Sequence, residues 1–323
     1  MLRRNAVRPG LRCGAGTRLQ KGAGNNRKRG KERREVKPSS TTTMYKIITK
    51  TRLAASINRL DVQAPEIAGR ARPGQFVVLR VNDTGERIPL TVAGQDPAGG
   101  TISLIFQETG KTTRALAQLS AGDSIRDILG PLGTPTKIEH IGNVVVIGGG
   151  VGAAEVLPVA KAFKAAGNTV TGIVGARSRE LIILENELKA ACDKLYITTD
   201  DGSSGRKGFV SDVLKEIIAG NAAIGLVYAV GPVPMMRVVA NITREAGIKT
   251  TVSLNPIMLD GTGMCGVCRV RVGDMVKFAC VDGPEFDAHQ VQWDELISRL
   301  AGFRQEEKIS LEQHAPGCTC KKE

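Results

Sequence analysis

The chain has 323 residues, 41% of them apolar and only 3% aromatic, with 45 Lys and Arg against 32 Asp and Glu and a formal net charge of +13. At about 100–200 residues per domain that length is two or three domains. No run nears the ~18–20 apolar residues of a membrane-spanning helix, and so few aromatics exclude a base-stacking surface.

The charge is uneven. Residues 1–43 carry 13 Lys and Arg against only Glu32 and Glu35, a balance of +11, which leaves +2 for the rest. Basicity belongs to the tail, so no nucleic-acid partner is expected of the body. With almost no apolar residues and no period, 1–43 reads as a disordered basic extension. It lacks the apolar segment of a secretory signal. The expectation is a cytoplasmic protein whose natural start is Met44, with a nucleic-acid-binding arm as the competing reading of the tail.

From 44 to 138 short strands alternate with turn residues: YKIITKTRL, SINRLDVQAP, GQFVVLRV, RIPLTVAG, TISLIFQE and DSIRDIL. Such spacing predicts a β-barrel or sandwich, interrupted by one helix at Thr112–Leu119. Within it, Arg87, Pro89, Leu90 and Thr91 share one strand. A guanidinium can fork onto a pyrophosphate, Leu90 can cover a flavin ring face and Thr91 can meet its edge; taken alone, the segment reads first as an edge strand with a solvated arginine. Thr109-Gly110-Lys111-Thr112-Thr113 opens the helix and forms an anion cradle of backbone N–H groups, hydroxyls and a lysine. It is no Walker A loop, because the first glycine is missing. The two motifs together point to FAD.

From 139 to 250 the grammar changes. Apolar strands (VVVIG, TVTGIVG, LYITT, AIGLVYAVG, KTTVSL) alternate with helical segments at Ala153–Ala166, Leu181–Cys192, Val210–Ala219 and Met235–Ala246, the pattern of a doubly wound parallel sheet. The first strand runs into Gly148-Gly149-Gly150-Val151-Gly152 and then a helix, the context for a phosphate at a helix N-terminus. The strict G-x-G-x-x-G spacing is not met, since Ala153 stands at the last glycine. Arg177 follows the second strand where an NAD site often has an acid, which by itself favours NADP. Asp201 and the run Gly231, Pro232, Met235 each follow a strand at its carboxyl end, where ligands bind in open α/β sheets. As bland alternatives, the first is an Asx turn and the second a proline-started helix.

The region 251–296 holds Asp260-x4-Cys265-x2-Cys268-x11-Cys280. With Asp in place of the first Cys, this is the spacing of a plant-type [2Fe–2S] site. A structural zinc remains the competing reading. Residues 297–323 continue a charged helix into a tail with Cys318 and Cys320, which read as exposed thiols, while Cys192 reads as a small packing residue. The three histidines form no triad with any nucleophile.

In this order, over about Met44 to Ala301, the motifs ERIPLT, TGKTT, GGGVGAAEVLP, GARSREL, TDDGSSGRKGF, AVGPVPMM and the cysteine hairpin resemble the ferredoxin–NADP reductase superfamily. Within it the chain is similar to the electron-transfer subunit of dihydroorotate dehydrogenase. It is closer to the small-subunit family of NADH-dependent reduced ferredoxin:NADP oxidoreductase, also described as sulfide dehydrogenase. In the small-subunit family an aspartate replaces the first cysteine, as Asp260 does here. The superfamily often has Cys before Gly231-Pro232, where this chain has Val230. The resemblance implies an N-terminal flavin-binding β-barrel, a doubly wound nucleotide-binding sheet and a C-terminal [2Fe–2S] hairpin. It implies FAD on Arg87, Leu90 and Thr91 with Gly110, Lys111 and Thr112 at its pyrophosphate. NAD(H), with NADP(H) as the alternative, would lie on Gly148–Gly152, Arg177, Asp201 and Gly231–Met235. It further implies an oxidoreductase that passes single electrons to a larger iron–sulfur flavoprotein subunit, with ferredoxin reached indirectly and electron bifurcation in the assembly.

Overall fold

The computed structural model describes residues 44–220 and 223–313. The expected basic extension at 1–43, and Cys318 and Cys320, lie outside the described residues.

Alternating burial sets the first sheet. In strands β1 (Tyr45–Ala54) and β2 (Ile57–Gln63) the residues Ile47, Leu60 and Val62 turn inward, while Ile57 packs on the opposite side with the core of the second sheet. The first three meet inward residues of β3 (Phe76–Arg80), β4 (Arg87–Asp96) and β5 (Thr101–Gln107). Strands β6 (Ser124–Ile125) and β7 (Asp127–Leu132) pair with β1 and β3 at the two edges of an antiparallel sheet of order β6-β1-β2-β5-β4-β3-β7. Because β6 and β7 are successive in the chain, the sheet must curl until its edges come together. Helix α1 (Pro65–Ala68) is a single turn that the sequence did not suggest, and α2 (Lys111–Gln118) lies one residue from its expected start.

The second sheet is built from β8 (Asn143–Gly149), β9 (Thr169–Ala176), β10 (Lys194–Thr199), the two-residue β11 (Arg206–Lys207), β12 (Ile224–Val230) and β13 (Thr250–Ser253), all parallel, in the order β11-β10-β9-β8-β12-β13. Val144–Ile147 are 0–2% exposed, as a strand covered on both faces requires. Helices α3 (Ala153–Ala165) and α4 (Glu185–Ala191) cover one face; α5 (Val210–Ala219) and α6 (Val233–Glu245) cover the other. The chain runs outward from β8 through β9 to β11, then returns to β12 on the other side of β8. The carboxyl ends of β8 and β12 therefore form the switch point where such sheets bind ligands.

Three boundaries differ from the sequence reading. Helix α4 begins at Glu185, not Leu181, because Leu184 takes a left-handed turn (φ 58°). Helix α6 starts at Val233, since Pro234 fits its first turn, which needs no N–H donor. The charged helix at 291–312 is two helices, α7 (Trp293–Ala301) and α8 (Arg304–Gln313), parted at Gly302.

The cysteine region contributes the hairpin β14 (Arg269–Val272) and β15 (Met275–Phe278). It also contributes β16 (Glu285–Asp287), which the sequence did not reveal. That strand pairs antiparallel with β13, Ser253 opposite Glu285, and extends the nucleotide sheet. Cys268, Cys280, Val270 and Trp293 thereby enter the same core as α5 and α6.

Candidate functional site

Two cavities adjoin at the switch point. The first, about 790 Å³, is walled by Gly149–Val151, Gly175–Arg177, Asp200, Phe209 and Met235. The second, about 470 Å³, lies between Ile88–Thr91 and Thr109 of the curled sheet and Gly149–Gly152, Glu155, Ser253–Asn255 and Met258. Both include Gln107, Thr109, Gly149–Val151 and Pro232, so ligands in the two would touch.

The glycine loop has the shape its ligand needs. A Cβ at Gly152 would stand 2.5 Å from the Val230 carbonyl oxygen, and one at Gly149 would stand 2.5 Å from Met235 Sδ. The loop after β8 is thus pressed against the loop after β12, which brings Gly148–Gly152 together with Gly231, Pro232 and Met235. Gly150, by contrast, has φ 57° and open space on its side-chain face. Helix α3 starts at Ala153, and its N-cap Gly152 and first-turn residues Ala154 and Glu155 line the smaller cavity, so the positive end of the helix adjoins it. Thr198 Oγ1 is buried on the wall of the larger cavity without a hydrogen-bond partner, an orphan that a bound ligand would satisfy.

Arg177 lines the larger cavity. Asp201 does not; its carboxylate accepts from Ser203 N (2.9 Å) and Ser203 Oγ (2.6 Å), which holds its pKa below the ordinary carboxylate value. That is the Asx turn offered as the bland alternative, and Asp200 is the acid on the wall. In the smaller cavity Pro89, Leu90 and Thr91 form the wall, while Arg87 stands exposed one strand position away. Glu86, unforeseen from sequence, ties the two flavin motifs together. It accepts from Thr112 Oγ1 at 3.3 Å and meets Lys111 Nζ at 3.7 Å, beside Gly110 at the start of α2.

Further on, the wall residues Leu254, Asn255 and Met258 lead straight into the cysteine loop. Cys268 and Cys280 are 1% and 3% exposed with their sulfurs 3.2 Å apart. Burial, and then the Cys268 thiol, push the Cys280 thiol up to about 12. Asp260 and Cys265 stand together on the outer side: Asp260 Oδ2 accepts from Cys265 N at 2.7 Å, and Oδ1 accepts from Thr262 N and Oγ1. The Cys265 thiol, then the Thr262 hydroxyl and the two backbone N–H groups, hold the Asp260 carboxyl far below its ordinary value. The donors thus stand two and two, and among the described residues no three His, Cys, Asp or Glu side chains converge on one point. Left-handed backbone at Gly261, Gly263 and Gly266 bends the loop.

A buried carboxyl group was missed in the sequence. Glu155, in the first turn of α3, is 8% exposed on the wall of the smaller cavity. It accepts from Thr91 Oγ1 at 3.0 Å and lies 3.2 Å from the hydroxyl of fully buried Tyr228. An acid in the run AAEVLPVA was the available signal, since an unpaired carboxylate is almost never buried.

A curled antiparallel sheet, a parallel nucleotide sheet and adjoining cavities at their junction define a ferredoxin-reductase-type oxidoreductase. Residues 146–241 match the oxidoreductase NAD-binding domain, and residues 255–292 match the iron–sulfur cluster binding domain of dihydroorotate dehydrogenase B. The chain is 47% identical over 272 residues to the dihydroorotate dehydrogenase B (NAD(+)), electron transfer subunit homolog of Thermotoga maritima, covering 84% of this chain and 96% of that one. It is 34% identical to the probable electron transfer subunit of Methanopyrus kandleri, over 72% and 85% of the two chains. Among solved structures it is similar to the NADH-dependent reduced ferredoxin-NADP oxidoreductase, described for insights into flavin-based electron bifurcation, with TM-score 0.80, 45% identity and coverage of 85% and 99%. The chain belongs to the family of dihydroorotate dehydrogenase B electron transfer subunits. Its cofactors are FAD, an iron–sulfur cluster and NAD(H). No described helix is long and apolar enough to cross a membrane.

Proposed function

We propose that this subunit takes a hydride from NADH at the junction of its two cavities and delivers the electrons singly, through a [2Fe–2S] cluster, to a larger iron–sulfur flavoprotein. The assembly would be a bifurcating ferredoxin:NADP transhydrogenase. The observation that carries this reading is the continuity of the route: the cavities share Gly149–Val151, and the smaller one ends on the chain that enters the cysteine loop. FAD supplies the conversion of a two-electron hydride into single electrons. The protein's part is placement. Leu90 and Thr91 hold the ring, Pro89 stiffens the strand, and Arg87, Gly110, Lys111 and Thr112 hold the pyrophosphate. Gly148–Gly152, Arg177, Gly231, Pro232 and Met235 hold the pyridine nucleotide, with Asp200 taking the place expected for Asp201. The working division is 44–138 for FAD, 139–250 for NAD and 251–296 for the cluster.

The two-and-two donors favour [2Fe–2S] over zinc. A two-iron cluster spreads its four ligands over two metals, Asp260 with Cys265 and Cys268 with Cys280, whereas a structural zinc needs all four at one ion. Asp260 at the first ligand position supports the ferredoxin:NADP assembly and the related sulfide dehydrogenase. The names of the sequence relatives support the second reading, electron transfer to a dihydroorotate dehydrogenase.

Anaerobic purification from the native cell with identification of the co-purifying subunit tests the choice. A larger iron–sulfur flavoprotein supports the first reading; a dihydroorotate dehydrogenase catalytic subunit replaces it with the second. For the flavin site, Arg87→Ala removes a charge-assisted fork of about 1.5–3 kcal/mol. FAD affinity should then fall roughly ten- to hundredfold, read by flavin fluorescence on dilution.

A further inference from the structure

Three acidic groups lie in a line where curled sheet, nucleotide sheet and cysteine region meet. Thr91 Oγ1 on β4 donates to Glu155 on α3 at 3.0 Å. The Tyr228 hydroxyl on β12 lies 3.2 Å from Glu155 Oε1 and 2.8 Å from Glu285 Oε1 on β16, and Thr136 Oγ1 donates to the same Glu285 oxygen. One end, Glu155, opens on the smaller cavity; the other, Glu285 with Thr136, is half-buried. Gly74 keeps room for that end, since a Cβ there would meet Thr136 Oγ1 at 2.3 Å and Glu285 Oε1 at 2.5 Å.

A phenol has one proton to donate and here touches two carboxyl oxygens. It can satisfy one; the other contact requires that the second carboxyl carry a proton and donate to the phenol oxygen. The array therefore holds one proton beyond that of the phenol. Its surroundings agree. Neither carboxylate makes an ion pair with any lysine, arginine or histidine among the described residues. Glu155 faces Thr91, Tyr228 and Ser253, while Glu285 faces Thr136, Tyr228 and the charge of Glu155. Burial raises the Glu155 pKa, lifts Glu285 to about 7, and raises Tyr228 well above the phenol value.

We propose that Glu155, Tyr228 and Glu285 form a one-proton store that exchanges protons with the flavin cavity. The proposal rests on the reading of that cavity as the flavin site. A hydride from NADH brings two electrons and one proton. When both electrons leave to a one-electron acceptor, that proton stays behind and Glu155 receives it: the ring N–H bond breaks and a Glu155 O–H bond forms. For this the store is empty while the ring is reduced, its earlier proton having left Glu285 for solvent at the half-buried end; Tyr228 then passes its own proton to the Glu285 carboxylate as it takes the one from Glu155, and the store is refilled. Glu155 is thus the proton-accepting residue beside the ring, and Tyr228 and Glu285 are its relay.

Two measurements on the full-length, cofactor-loaded protein test this. In the infrared, a protonated-carboxyl band that shifts in D₂O should be present at pH 7 and absent from the isosteric Glu155→Gln/Glu285→Gln variant. The flavin midpoint potential should change with pH much less steeply in the wild type than in Glu155→Gln, because the ring's proton is exchanged with the store and not with solvent. A missing band, or one that survives in the double variant, overturns the store. A band that behaves as expected with identical slopes overturns the exchange and leaves a structural pair. If Glu155→Gln does not fold, Glu285→Gln carries the same slope comparison from the half-buried end. A protein that binds no flavin overturns the cavity assignment and the exchange with it, while the band still reports on the store.

Discussion

The strands of the nucleotide sheet and the loop of the cysteine region are held by opposite means. Around β8 and β12 the chain is apolar, covered on both faces and almost without exposure. Each buried aliphatic side chain there contributes about 1.5–3 kcal/mol, and no ligand is needed to order it. Residues 255–266 have no regular structure, bend at three left-handed glycines, and leave Met264 90% exposed. What orders that loop is a set of polar contacts to Asp260 and four prospective iron ligands. A region stabilised by burial should survive loss of its cofactor; one stabilised by ligation should not.

The largest effect should come from breaking the ligation. Cys268→Ser/Cys280→Ser should remove nearly all bound iron and the visible iron–sulfur absorbance. Hydrogen exchange should rise sharply in 255–268 and stay unchanged in β8, β9 and β12. Loss of protection in those strands as well would mean that the two regions are not independent. The converse change is Gly152→Ala, whose new methyl would stand 2.5 Å from a backbone oxygen that cannot swing away. Overpacking of this kind costs about 1–3 kcal/mol. Nucleotide affinity should fall at least tenfold by calorimetry, with iron content unchanged.

The same contrast explains what could be read from sequence. Strand-length apolar runs and proline–glycine turns placed β1 to β5, β8 to β10, β12, β13 and helices α2, α3 and α5 to within a few residues, because burial leaves a periodic trace. The β16 strand leaves none: its three residues Glu285-Phe286-Asp287 have one apolar member and pair with a strand more than 30 residues away. Leu184 gave no sign of its left-handed turn, since nothing local requires one of a leucine. At the site, motif residues that share a strand or loop could be grouped, but Asp201 and Asp200 are adjacent and only the turn decides which faces the cavity. Glu155, Tyr228 and Glu285 come from three elements, and their meeting follows from topology alone.

A smaller effect separates the buried acids from the surface ones. Glu285 binds its proton more tightly folded than unfolded, with its pKa raised from 4.5 to about 7. Between these values the folded state holds more protons, so this contribution is fully present below about pH 4.5 and is lost as pH rises through 7. It amounts to at most about 3 kcal/mol. Glu155 acts in the same direction. Asp61, Asp193 and Glu185, whose pKa values are lowered, act oppositely and only at more acid pH. Melting temperature should therefore drop from pH 5 to pH 8, and Glu285→Gln should flatten the drop. An equal drop in the variant would place its cause elsewhere.

The smallest effect bears on Asp260, which stands at the boundary between capping and ligation. Its carboxylate accepts the backbone N–H groups of Thr262 and Cys265, so it shapes the loop whether or not it meets iron. Asparagine keeps one acceptor oxygen and loses the charge; cysteine loses the cap and completes an all-thiolate set; alanine loses both. A ligand aspartate is a harder donor than thiolate with the same unit charge. If it binds iron, Asp260→Cys should retain the cluster with an altered paramagnetic-resonance spectrum and potential, since hydrogen bonding and ligand type set both. Asp260→Asn should then weaken the cluster despite an intact turn. If Asp260 is a cap alone, the order reverses: asparagine leaves the spectrum unchanged and cysteine disturbs the loop. Iron content and resonance spectra of the three variants decide between them. The comparison is informative because capping depends on an acceptor oxygen, whereas ligation depends on an anionic donor.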